Sequence, residues 1–511
     1  MRIASSILLV ALGASACVDS EGTRPAAGGA LSPASGDQGG SVAVPFFPES
    51  APTSQDYGPH QVQLGNATFA YLTRVAVPAE AMPLLPSGIG GTVFTYSLFV
   101  ESTQAIELFA LFVPDSPAGQ RRPLLTAFHG FGTSHRDIDV RTRFFVEADD
   151  RDWFLVAPLQ RNLADPAGDN FDINYASAQS QLHVEAVIQF MLENYAIDRD
   201  RLYGVGFSMG GGSALSYAAR HRDRSTGAFA AVVNHTGSVA LENEYANLPV
   251  ASPVIDIMEL IFGGPPSATP FEWQRSSLIE LDAQGEILSG GRHMARNLGP
   301  VPTQTWFNSD DHLDHLRNQS QKLDQFMQGL VGADHSLVVV PGQIPNCDGQ
   351  HCWSTLDQTM ACDWLEQHSL NGQPLQGTVL ADRAGNWEYF KLKQDVNGQF
   401  SSLDYFVDPL GNSLTLASPE NVGQIETSIA TLGLDAASSL KVSLEGFGLS
   451  TCRLVFTNAL SPPVAILRDS LVLDEDCSGT SSGPQWCYDP SEGTLTLLED
   501  EPTLTSWILQ F

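Results

Sequence analysis

The residues best placed to do chemistry are Gly206-Phe207-Ser208-Met209-Gly210. They join Leu202-Tyr203-Gly204-Val205-Gly206, which reads as a short strand, to Met209 to Arg220, which reads as a helix. A serine is a weak nucleophile until a base takes its proton, and its hydroxyl must stand clear of the backbone. A cramped strand-to-helix turn gives that exposure, and glycines at the flanks let the neighbouring chain pass. The same turn aims the first N–H groups of the helix at any oxyanion formed beside the serine. Gly211 and Gly212 extend the small-residue start. The pentapeptide alone decides little, because Gly479-Thr480-Ser481-Ser482-Gly483 fits it too, with no strand before it and no helix after it. Context makes Ser208 the candidate nucleophile and leaves Ser481 in a loop.

His129-Gly130-Phe131-Gly132 directly follows Pro123-Leu124-Leu125-Thr126-Ala127-Phe128, a short buried strand. A loop of this kind at a strand end lends a second backbone N–H, so the predicted oxyanion donors are the amides of Phe131 and Met209. The acid that orients a catalytic base is expected after Thr303-Gln304-Thr305-Trp306-Phe307, where Asn308-Ser309-Asp310-Asp311-His312 follows. Asp311 takes that place, with Asp310 and Asp314 as rivals. Of the twelve histidines, His351 lies in a loop after the strand Ser336-Leu337-Val338-Val339-Val340 and before the helical stretch Leu356 to His368. His335 precedes that strand and would face the wrong end of the sheet. The candidates run Ser208, Asp311, His351 along the chain. His312 and His315 beside Asp311 and Asp314 resemble a metal cluster, but nothing elsewhere completes one, and they read as solvated loop residues. No dinucleotide fingerprint, P-loop or zinc set occurs, so no cofactor and no metal is expected.

Positioning these groups calls for a sheet. Thr92 to Val100 and Ile106 to Val113 read as an antiparallel pair. From Pro123 onward, strands alternate with helices: Trp153 to Pro158, the helical Ala176 to Tyr195, Leu202 to Gly206, Met209 to Arg220, and Ala228 to Val233. This order predicts a mostly parallel sheet with helices on both faces, the α/β-hydrolase fold, over residues 56–372. The stretch from Ser238 to Gly299 is long for one connection and suggests a cap over the site. After Asn371, Trp387 to Leu392, Leu440 to Leu444 and Thr494 to Leu498 read as strands between turns, so residues 373–511 form a separate β-rich C-terminal domain.

The formal net charge is −32, from 58 acidic against 26 basic residues, and only four of the basic residues are lysine. Such a chain repels nucleic-acid phosphates and anionic lipid, so neither is a partner. Arg2, the apolar run Ile7 to Leu12 and Ala14-Ser15-Ala16 read as a signal peptide over residues 1–16. Cys17 follows at once, and the segment resembles a bacterial lipoprotein box, which would make a lipid on Cys17 the sole membrane attachment. Residues 17–55, rich in Gly, Ser, Ala and Pro, read as a disordered tether. Beyond Cys17 there are six cysteines, Cys347, Cys352, Cys362, Cys452, Cys477 and Cys487, expected to form disulfides in an oxidising compartment. A bridge from Cys347 to Cys352 would brace the histidine loop; a bridge to Cys362 is the alternative.

Residues 123–368, with the elbow at Ser208, the His129 loop and His351-Cys352-Trp353, resemble the extracellular esterases grouped with polyhydroxybutyrate depolymerases and feruloyl esterases. The run Gly206 to Gly212 is similar to the elbow of cutinase-like polyester hydrolases. The resemblance implies cleavage of a carboxylic ester, small or polymeric. Trp353, two residues after the histidine, would bind substrate alongside Phe131 and Met209. The His129 loop lacks the cysteine often seen in the depolymerases, and the insertion before Gly299 is longer than in cutinases. A serine peptidase of the prolyl-oligopeptidase type, and a non-catalytic surface binding protein on the same scaffold, are the alternative readings.

Overall fold

A computed structural model describes residues 61–511, apart from 65–66, 71, 77–88, 101, 104, 116–118, 161–172, 251, 371, 373, 447–451, 460, 479–482 and 500–503. The expected signal peptide and tether, Cys17, and most of the second Gly-x-Ser-x-Gly pentapeptide lie outside the described residues.

Nine strands make the main sheet, labelled in chain order: β1 (Leu72–Ala76), β2 (Thr92–Val100), β3 (Ala105–Val113), β4 (Arg122–Phe128), β5 (Phe154–Pro158), β6 (Ile197–Phe207), β7 (Ala231–His235), β8 (Thr303–Asn308) and β9 (His335–Val340). Their order across the sheet is β1-β2-β3-β5-β4-β6-β7-β8-β9. The first three pair antiparallel, β3 meets β5 antiparallel, and everything from β5 to β9 is parallel. This is the α/β-hydrolase fold.

Both faces are covered, which explains why β4, β5 and β7 are buried from end to end. Alternate side chains go to opposite layers. Leu124, Phe128, Phe154, Val156, Leu202 and Val232 pack with helices α3 (Ala178–Asn194), α4 (Met209–Arg220) and α8 (Asp314–Gln328). Leu125, Ala127, Leu155, Ala157, Tyr203, Val205 and Val233 pack with α1 (Asp137–Arg141), α2 (Phe144–Asp150) and α9 (Gln358–Leu365). The remaining helices, α5 (Leu241–Asn247), α6 (Pro253–Phe262) and α7 (Pro270–Ser276), lie in the long insertion between β7 and β8. The seventh strand starts at Ala231, three residues later than its apolar run suggests, because Ala228 to Ala230 are still the approach to the sheet.

Beyond α9 the chain forms two further sheets, of seven and six strands, running from Gln376–Ala381 to Thr505–Gln510. Their strands alternate buried and open positions, as in Phe390–Gln394 and Thr494–Glu499. The expected single strand Trp387 to Leu392 is in fact a tight hairpin. Gly385–Trp387 pairs antiparallel with Phe390–Gln394, and Glu388 turns the chain at φ 52°. One continuous apolar cluster joins this region to the hydrolase body, with Val379, Leu380 and Ala381 in the same core as Met294, Ala295 and Leu298.

Candidate active site

Ser208 stands between β6 and α4 with φ 55° and ψ −124°, a conformation that side chains other than hydrogen rarely tolerate. The glycines around it are there for space. A Cβ on Gly206 would lie 2.0 Å from the Gly210 carbonyl oxygen, and one on Gly210 would lie 2.3 Å from that of Phe128. The turn is pinned from both sides. Ser208 N donates to His235 O at 2.9 Å, and Ser208 O accepts from Gly211 N at 2.9 Å and Ser238 N at 3.2 Å.

Three residues from three loops meet here. His351 Nε2 lies 2.9 Å from Ser208 Oγ, and its Nδ1 lies 2.6 Å from Asp311 Oδ2. The second Asp311 oxygen accepts from Leu313 N at 2.9 Å, so both lone-pair faces are occupied and the carboxylate is fixed in rotation. Of the three aspartates weighed from the sequence, Asp311 alone meets His351. Asp310 is exposed and is held by Ser309 Oγ and Asn308 Oδ1, and Asp314 is exposed and pairs with Arg317.

The loop carrying His351 is closed by a Cys347–Cys352 disulfide, which settles the first of the two expected pairings; Cys362 is free and buried in α9. Cys477 pairs with Cys487 in the C-terminal region. Asn346, Gly349 and Gln350 all take positive φ within this loop. The buried Gln350 side chain holds its shape, accepting from Ile344 N at 2.5 Å and donating to Cys347 O at 2.7 Å. His312, expected to be a solvated residue, does more than that: its backbone N–H donates to Gly349 O at 2.8 Å, and its Nδ1 lies 2.9 Å from the same oxygen. It ties the aspartate loop to the histidine loop. Among the described residues no metal-ligand group forms beside it.

The backbone N–H groups of Phe131 and Met209 have no hydrogen-bond partner among the described residues. The ring of His129 lies between the carbonyls of Gly130 and Leu159, each 2.9 Å away, which anchors the loop to the end of β5. The Met209 side chain is buried with Tyr175, Met258, Phe262 and Trp273, and Phe131, Val254, Ile257 and Ile261 pack against that group. The insertion therefore roofs the site with apolar side chains, chiefly through α6.

Trp353 is placed differently from the expectation of a substrate-binding wall. It is 3% exposed, lies 5.2 Å from the Phe207 ring and 5.8 Å from Phe144, and donates its indole N–H to Asp137 Oδ2 at 2.8 Å. Its surroundings make it a packing residue that joins the histidine loop to α1. The Phe207 ring also carries His351 on its face, at 4.6 Å between centroids, and touches His235 at 4.8 Å. Burial and the neighbouring His351 hold the His235 pKa well below that of a free imidazole. Sequence inspection missed Asp137, Gln350 and the tie through His312. Each acts across a loop or a long separation, and no local pattern marks it. It also missed Glu244 on α5, a carboxyl pushed up to about 7 by burial despite the hydroxyls of Ser238 and Tyr175 within reach.

A cleft of about 1030 Å³ lies elsewhere, between the hydrolase body and the C-terminal sheets, lined by Arg222, Arg224, Arg296 and Phe326 among others. It contains none of the residues that meet at Ser208.

No protein-family model matches the chain, and no curated protein does. Solved structures similar to it include an S-formylglutathione hydrolase from Agrobacterium tumefaciens, 16% identical, covering 55% of this chain and 96% of that one with a TM-score of 0.39. A ferulic acid esterase is 16% identical, covering 54% of this chain and 98% of its own with a TM-score of 0.38. An acetyl xylan esterase from Paenibacillus sp. R4 is 10% identical, covering 58% and 88% with a TM-score of 0.38. Neither activity nor substrate follows from likeness at this level.

Proposed function

We propose that the protein is a serine hydrolase of carboxylic esters, with Ser208 as nucleophile, His351 as base, Asp311 as orienting acid, and the Phe131 and Met209 amides as oxyanion hole. The observation that carries this reading is the unbroken line of short contacts from Asp311 through His351 to a Ser208 held at positive φ. His351 Nε2 takes the hydroxyl proton as Oγ attacks the ester carbonyl, and Asp311 stabilises the imidazolium that results. The two unpaired amides receive the tetrahedral oxyanion. Collapse expels the alkoxide, which takes the proton from His351, and leaves an acyl group on Ser208. Water, deprotonated by the same imidazole, then releases the acid.

The roof supports an apolar or aromatic acyl group. Phe131, Met209 and the inner side of α6 offer no charge to an acyl chain. The reading extends to esters of the polyester or feruloyl type. It includes a catalytic domain over 56–372, a C-terminal domain over 373–511, export by the signal at 1–16, and lipidation at Cys17. Hydrolysis of p-nitrophenyl esters from acetate to decanoate, by the protein and by Ser208→Ala, tests the core of it. Activity that vanishes in the variant supports the assignment. Folded protein without activity on any of these esters would overturn it and turn attention to peptides.

A further inference from the structure

The insertion that roofs the site is gripped from its outer side by the C-terminal region. Asp382, directly after the strand Gln376–Ala381, is fully buried. Its Oδ2 accepts from Arg220 Nη2 at 2.6 Å and from Arg275 Nε and Nη2 at 2.7 Å. Arg220 is the last residue of α4, the helix that starts beside Ser208, and Arg275 belongs to α7 in the insertion. Three more contacts accompany this one. Phe271 packs edge-on against Phe400 at 5.1 Å, and Arg292 meets both carboxylate oxygens of Glu420. Asn297 exchanges two 2.8 Å hydrogen bonds with the backbone of Leu380 while donating to Ala219 O at 2.9 Å.

On its inner side the same insertion reaches Met209, the residue after Ser208. Trp273 on α7 packs at a tilt against Phe262 at 4.5 Å and edge-on against Tyr245 at 5.1 Å. Phe262 and Met258 on α6 share an apolar cluster with Met209. Helices of ten and seven residues are too short to hold themselves in water, so packing decides where α6 and α7 sit. The outward side of α6 leaves Leu260 66% exposed and supplies no support of its own. The N–H groups of Leu278 and Ile279, just past α7, donate to Val239 O at 2.8 and 3.1 Å, and the buried carboxylate shared with α4 anchors α7 itself from the outer side.

We propose that the C-terminal β-rich region is the outer mount of the acyl pocket, and that Asp382 and Arg275 are positioning residues that fix α6 over Met209 and thereby set acyl-chain selectivity. The selectivity part rests on the ester-hydrolase reading above; the mounting part does not. Arg275→Gln removes one of the two guanidinium partners and leaves Asp382 its buried pair with Arg220, so the fold should survive. Phe271→Ala attacks the same seam at a half-buried position, removing the ring that packs on Phe400 and lies 5.1 Å under the Arg275 guanidinium while leaving every charged group in place, and Arg275→Lys is the conservative rescue.

Two readouts on the full-length protein separate the claims. Amide exchange over residues 253–276 is expected to quicken about tenfold in Arg275→Gln and Phe271→Ala, and to return toward wild type in Arg275→Lys. With octanoate ester, KM should rise about fivefold while kcat stays within about twofold, and the octanoate-to-acetate preference should fall accordingly. Exchange unchanged in both variants overturns the mount. Quickened exchange with an unaltered acyl preference overturns the selectivity claim. A wild-type protein inactive on every ester refutes the hydrolase reading instead, and exchange alone then decides the mount.

Discussion

Asp311→Asn puts the proposed mechanism at greatest risk. In the native site Asp311 Oδ1 accepts from Leu313 N–H and Oδ2 accepts from His351 Nδ1–H. An asparagine amide has one acceptor and one donor end. Keeping the Leu313 bond sends its NH₂ toward His351, where it faces a donor unless the imidazole changes tautomer. The ring then presents Nε2–H to Ser208 and cannot take the serine proton. Volume and packing hardly change, so the loss is chemical rather than structural. Removal of the right tautomer in a triad costs about ten-thousandfold in kcat, roughly 5 kcal/mol of transition-state stabilisation. Asp310→Asn and Asp314→Asn, which touch neither His351 nor Ser208, should stay within about twofold. Steady-state hydrolysis of p-nitrophenyl acetate, with Ser208→Ala as the floor, measures all three. Asp311→Asn activity above about a tenth of wild type, or an equal fall at Asp310, would refute the geometry as a catalytic one.

Trp353→Phe keeps most of the aromatic packing and deletes one hydrogen bond to the buried Asp137, which keeps Arg141 at 3.0 Å. A loss of about 1–3 kcal/mol in urea unfolding is expected, and an unchanged midpoint would show that the tie contributes nothing. Two buried carboxyls should tilt stability in opposite directions with pH. The Arg220 and Arg275 guanidiniums beside Asp382 outweigh its burial and hold its carboxyl down at about 2, below its unfolded value of 3.8. Its contribution, about 2 kcal/mol, is therefore complete above pH 3.8 and lost as pH falls through 2, a slope that Asp382→Asn should lack in acid unfolding. Glu244 is raised to about 7, so the folded state keeps a proton that the unfolded chain gives up above 4.5. Stability should fall as pH rises from 4.5 to 7, and Glu244→Gln should flatten that decline; a decline of the same size in the variant would remove Glu244 as its cause.

The elbow was legible because its demands are local. Gly206 and Gly210 are required by backbone passing within 2.0–2.3 Å of where a Cβ would be, and that need leaves a mark in the sequence. The main sheet was legible for the same kind of reason, since strands covered on both faces read as short unbroken apolar runs. Asp311 was favoured from its place after the strand, but what sets it apart from Asp310 and Asp314 was not readable. All three follow one strand end, and only the turn of the chain after Asn308 decides which carboxylate faces His351. Trp353 shows the limit most plainly. Its partner Asp137 is 216 residues away, so the position next to the histidine suggested a substrate contact where the fold made a buried strut. In the C-terminal region, Glu388 at φ 52° divided one apparent strand into a hairpin, and nothing in Trp387 to Leu392 announces a turn.

Cys362 sits in α9 behind the histidine loop, fully buried, with its thiol pKa pushed far up by burial. Sealed in this way, it cannot react with an alkylating reagent while the native packing holds, since attack needs an accessible thiolate. It becomes a chemical recorder: each excursion that lifts α9 from the sheet exposes it briefly, and a modified sulfur too large for its cavity keeps the door from closing. Heat, adsorption to a surface or storage would then be inscribed molecule by molecule as irreversible mass added at Cys362. The history of a sample could be read from that mark after every molecule still able to refold had done so.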